Sequence, residues 1–196
     1  LPAMARSLAE DPLRMQSVVI AYMLTVALLI PASGWIADRF GIKRIFFGAI
    51  LLFSLGSLLC ALSSSLSMLV AARVVQGLGG ALMVPIGRLI VLRAYPRSEL
   101  VRIMSFITVP GLLGPLLGPT LGGWIVEYLS WHWIFLINLP VGLLGCYAVK
   151  TLVPDLQGGG RTRFDGVGFA LFGASMVLIT IALEGLGELQ DRKSVV

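Results

Sequence analysis

The chain has 196 residues, of which 57% are hydrophobic and 13% charged, with a mean hydropathy of +0.93. An ordinary soluble domain, with about a quarter of its residues charged, is excluded; the composition predicts a membrane protein. The net charge of +5 implies no nucleic-acid partner, because a basic membrane protein is explained by where its Lys and Arg sit.

Residues 1–14 read as a polar, partly helical lead-in punctuated by Pro2 and Pro12. Residues 15–37 form the first predicted span, 23 uncharged residues, or about 35 Å of helix, enough to cross a bilayer with some tilt. Residues 34–44, GWIADRFGIKR, then gather Asp38, Arg39, Lys43 and Arg44 into a short turn with Gly34 and Gly41. Residues 45–62 are the second span, closed by the polar turn SSSLS at 63–67. Residues 68–92 are the third, with Arg73 inside the apolar run. A basic turn, 93–102, leads to a fourth span at 103–126, uncharged and rich in Gly and Pro. After the turn 127–131, residues 133–153 cross back, 154–165 form a loop, and 166–183 are the sixth span. The expected fold is therefore all-α and membrane-embedded.

The charges give the orientation. Arg39, Lys43, Arg44, Arg88, Arg93, Arg97, Arg102, Lys150, Arg161 and Arg163 fall on one side of the predicted spans. Arg6 and Arg14 fall on the other, with Arg73 inside a span and the tail set aside. Basic residues are retained in the cytoplasm, so the 34–44 turn is expected to be cytoplasmic and the start of the chain to face outward. An outward start predicts at least one earlier span. Residues 191–196, DRKSVV, read like translated sequencing-adapter DNA, and with Leu1 in place of Met they point to a reading frame cut at its ends.

Three constellations stand out. Arg73 heads RVVQGLGGA, with Gln76 one turn on and Gly77 and Gly80 beside it. A charge inside a span costs at least about 2.5 kcal/mol, so it either faces a cavity or partner or snorkels to the headgroups. Second, Pro110-Gly111, Gly114-Pro115, Gly118-Pro119 and Gly122-Gly123 recur every four residues and lie in a stripe along one helix face. That stripe suits a helix that packs tightly against another and flexes along it, or a plain packing seam. Third, the basic residues of the 34–44 turn set topology, but Asp38 adds nothing to topology and is expected to pair with a neighbouring span in one conformation. Trp131, His132 and Trp133 read as an interfacial aromatic belt, with His132 as a proton relay the alternative. Cys60 and Cys146 lie in apolar runs and behave as small hydrophobes. The chain has no P-loop, HExxH or GxSxG and no metal-ligand spacing, so no catalytic residue, metal or enzyme activity is expected.

These stretches together resemble the major facilitator superfamily. Gly34, Asp38, Arg39, Gly41, Lys43 and Arg44 are similar to its loop motif between helices two and three, with Trp35-Ile36 in place of the commoner x-Leu. Residues 73–81 resemble its fourth-helix motif, and Gly111, Gly114, Pro115, Gly118, Pro119, Gly122 and Gly123 its antiporter motif, whose earlier glycine is Ser105 here. SWHWIFLINLPVG and RFDGVGFALFG resemble the fourteen-helix drug:proton antiporters, with His132 for the commoner Arg and Gly166 for Trp; LPASGWIADRFG and VPIGRL fit the MdtD-like branch.

The resemblance implies a half-bundle comprising the second to sixth helices over residues 1–153, followed by a loop and an additional seventh helix over 154–190. It implies proton-coupled export of drug-like or metabolic organic compounds through a bacterial inner membrane, without a cofactor. A periplasmic adaptor protein is a further expected partner. It assigns proton coupling to Arg73 with Gln76, acting on a first-helix acid upstream of Leu1 that loses its proton more readily when the arginine is close. It assigns gating to the 34–44 motif. Exporters of other solutes, such as organic acids or metal chelates, share these features, and a transporter-shaped sensor or inactive fragment is the contrasting class.

Overall fold

The computed structural model describes residues 2–156 and 163–194. Every regular element in them is helical: α1 Pro2–Leu8, α2 Gln16–Leu29, α3 Ser33–Phe40, α4 Ile42–Ala61, α5 Leu66–Ala94, α6 Leu100–Tyr128, α7 Trp133–Leu136, α8 Asn138–Leu152 and α9 Gly166–Ser194.

The helices break where the chemistry of the chain requires it. A single 3-10 turn, Ile30–Ala32, joins α2 to α3 at Pro31, which has no N–H to give to the preceding turn. The two still form one apolar span, Gln16–Phe40. Pro140 likewise follows the break between α7 and α8. At the start of α5 the Ser65 hydroxyl accepts a hydrogen bond from the Met68 N–H, so the serine turn ends in a helix cap.

The charged 34–44 segment is tighter than the turn expected from sequence. Asp38 and Arg39 sit in the last turn of α3, and Lys43 and Arg44 in the first turn of α4. Gly41 alone separates the helices, with φ +93°, a conformation that residues carrying a Cβ rarely adopt. One residue reverses the chain, so the cations sit on helix ends, where their stems can lie along apolar surface. The second span accordingly begins at Ile42 instead of residue 45.

Five helices among the described residues are long and apolar enough to cross a membrane: Gln16–Phe40, Ile42–Ala61, Leu66–Ala94, Leu100–Tyr128 and Trp133–Leu152. The expected sixth, α9, has a shorter apolar stretch, Gly166–Thr180. Arg161, used above for topology, and Leu1, used above for the start of the reading frame, lie outside the described residues.

The bundle is organised around the α4–α5 pair, with α2 against α5, α8 against α4, and α9 against α2. Glycines permit the central contact. A Cβ on Gly56 would lie 2.5 Å from the Gln76 backbone, and one on Gly79 2.6 Å from the Ala49 carbonyl oxygen. Met15, Leu69, Trp131 and Phe135 fill the core at one end of the bundle, with Ala37, Ile42 and Ile86 at the other. α6 stands apart, touching α5 and α7 only slightly, with Phe106, Leu112, Leu116 and Trp124 exposed along it.

Candidate functional site

Arg73 lies two turns into α5, and its side chain points into the bundle. Its guanidinium sits 5.1 Å from the ring centroids of both Tyr22 on α2 and Phe135 on α7. Each ring presents the negative face of its quadrupole to the cation. Nη1 donates a 2.9 Å hydrogen bond to Gln76 Oε1, while the buried Nε has no partner among the described residues. The side chain is held from three helices, a placement that snorkelling to the headgroups would not give.

The network continues across the bundle. Gln76 is 2% exposed, and its Nε2 donates a 2.6 Å hydrogen bond to Ser57 Oγ on α4, which is wholly buried. Asn138 Nδ2, from α8, reaches the same oxygen at 3.3 Å. The Cys60 thiol approaches Gln76 Oε1 at 3.9 Å. Arginine only donates, so the amide oxygen of Gln76 must face Arg73 and its nitrogen must face Ser57. A polar line thus runs from Arg73 through Gln76 and Ser57 to Asn138, tying α5, α4 and α8 together inside an apolar bundle.

Sequence reasoning found Arg73 and Gln76 and missed the rest. Ser57 gives no signal, because a single serine in an apolar run packs almost anywhere. Asn138 could have been found: an amide inside IFLINLP needs a partner at membrane depth.

Near the far end of α5, Arg93 Nη2 meets Asp38 Oδ1 at 2.8 Å, both side chains about a quarter exposed. The acid expected to pair with a neighbouring span therefore meets an arginine 55 residues away, at the end of the next helix but one. Arg39 and Arg44 are exposed, and Gly34 is open on its Cβ side. Three residues before Asp38 on α3, Trp35 packs against Phe164, with ring centroids 4.7 Å apart and the planes tilted by 47°.

The glycine–proline stripe of α6 joins neither cluster. A Cβ at Gly111, Gly114, Gly118, Gly122 or Gly123 would meet nothing within 4 Å. The tight packing expected of Pro115, Pro119 and their glycines is therefore not made within the described residues. The close helix contacts are made by Gly56 and Gly79 instead, because those glycines lie on facing sides of α4 and α5.

Comparison with known proteins places this architecture. The sequence pattern of the Major Facilitator Superfamily matches residues 1–166. The chain belongs to the major facilitator superfamily. Within it, the chain is 57% identical over 185 residues to the MdtD protein of Serratia proteamaculans and 59% identical to that of Cronobacter sakazakii. Those names propose a part in multidrug resistance without asserting it. Each match covers 94% of this chain and 39% of the relative, so the chain spans about two fifths of their length. A crystal structure of the peptide transporter POT superposes with a TM-score of 0.66 at 20% identity, covering 88% of this chain and 37% of that one. This last likeness shows the superfamily fold alone.

Proposed function

We propose that this chain forms part of a transporter that exports drug-like or metabolic organic compounds across the bacterial inner membrane in exchange for protons. The observation that carries the reading is the state of Arg73. A guanidinium inside a span is held by two aromatic faces and one amide, with no carboxylate in salt-bridge range among the described residues. Such a cation retains its attraction for a carboxylate brought close by another part of the transporter. Approach would favour loss of that acid's proton, and withdrawal would favour its return. Linking the two positions to the inward- and outward-open states makes one proton cycle drive one transport cycle. The Asp38–Arg93 pair, at the α3–α4 junction, would then hold one of those states.

The test is ethidium movement in everted vesicles containing the complete transporter. Accumulation that starts with an imposed proton gradient and collapses on adding a protonophore is expected. Accumulation indifferent to the protonophore would overturn proton coupling, and none at all would favour the transporter-shaped sensor.

A further inference from the structure

Lys43 and Arg44, in the first turn of α4, and Lys150, in the last turn of α8, converge on one cavity of about 410 Å³. Its walls are completed by Phe47, Val149 and Asp155. A smaller cavity of about 240 Å³ shares Lys43, Arg44 and Asp155 and extends towards Gly41. Three cations face one carboxylate, and among the described residues no ion pair joins Asp155 to any of them. The cations come from α4 and α8, which pack together; α4 is long enough to span a membrane by itself, and α8 is so together with α7. Below them the wall turns apolar, through Phe47 on α4 and Val149 on α8.

We propose that this cavity binds the headgroup of an anionic phospholipid, with the phosphate among Lys43, Arg44 and Lys150 and an acyl chain along the α4–α8 groove. The requirement is a phosphate carrying net negative charge joined to a hydrocarbon chain. A zwitterionic lipid brings its own cation into a cavity already rich in them. A free phosphate lacks the chain that the apolar wall would cover. Basic cavities between helices at a cytoplasmic surface have this chemistry in general. Lys150 lies outside the 34–44 motif, so lipid occupancy is separable from gating, and the binding does not depend on the transport reading above.

The complete transporter, purified in neutral detergent, would be titrated with phosphatidylglycerol, with phosphatidylcholine of the same chains, and with inorganic phosphate, and bound lipid counted by native mass spectrometry. Phosphatidylglycerol should be retained in preference to phosphatidylcholine. Lys150→Gln should weaken that retention about fivefold, the effect of one basic residue near a membrane surface. Asp155→Asn should strengthen it by a similar factor, and Arg88→Gln, outside the cavity, should leave it unchanged. Equal retention of the two lipids, the same loss in Arg88→Gln, or no response to either Lys150→Gln or Asp155→Asn would overturn the proposal. Displacement of phosphatidylglycerol by inorganic phosphate would overturn the lipid assignment in favour of a free-anion site.

Discussion

Gln76 on α5 and Ser57 on α4 share a 2.6 Å hydrogen bond with both side chains buried. That bond turns the amide so that its oxygen is available to Arg73. Ser57→Ala would leave the amide N–H without its partner in a place water does not reach. The expected cost is about 1–3 kcal/mol, read as a lower melting temperature of the purified transporter. Weaker proton-driven efflux should accompany it, because Gln76 would no longer be fixed. An unchanged melting temperature would mean that the amide finds another acceptor.

Arg73→Ala should abolish proton-driven efflux while the protein remains inserted in the membrane, as judged by membrane fractionation. Arg73→Lys should retain part of the activity. It keeps the charge, but a compact ammonium loses the planar fit over Tyr22 and Phe135. Full efflux in the alanine variant would remove Arg73 from proton coupling.

For the Asp38–Arg93 pair, a rate effect is expected. Asp38→Asn and Arg93→Gln should each slow transport while substrate binding, measured by equilibrium dialysis, stays near normal. The two residues are in contact, so the double variant should be little slower than the worse single one. Fully additive losses, or binding that falls in step with rate, would contradict a shared gating function.

Glycines give the sharpest contrast. Gly79→Ala places a methyl against the Phe53 and Ala49 backbones, which cannot move aside as a side chain does. A loss of about 1–3 kcal/mol or more is expected, with poor yield of folded protein. Gly118→Ala meets nothing within 4 Å in this chain. There the better helix propensity of alanine, worth about 1 kcal/mol, should leave the melting temperature unchanged or raised. If the stripe packs against another part of the transporter during the cycle, Gly118→Ala should slow efflux all the same. Unaltered efflux would reduce the stripe to lipid-facing surface.

Helix positions were readable from the sequence because apolar runs of span length, with few or no charges, leave few alternatives, and all five span-length helices fall where those runs lie. Arg73 and Gln76 were readable as a pair because a three-residue step keeps both on one helix face. Their surroundings were not. Tyr22 and Phe135 are ordinary apolar-run aromatics until the fold brings them to the same cation, and Asp38 and Arg93 are separated by two helices of sequence. The 34–44 segment read as a loop because its charges look solvent-exposed, whereas Gly41 lets them sit on helix ends. Pro31 did carry a signal, since a proline inside an apolar run, sixteen residues past its start at Met15, marks the break that α2 and α3 show.

Phe164 lies immediately ahead of α9, and its ring rests on Trp35, one residue short of a full turn before Asp38. α9 packs on α2, where Leu28 comes within 3.3 Å of the space a Cβ on Gly173 would take. The additional helix is thus moored at two heights along the span that α2 and α3 make together, like a fender lashed to a hull. When α2 and α3 tilt, α9 must ride with them, so the surface it presents to the surrounding lipid would shift in step with the gate.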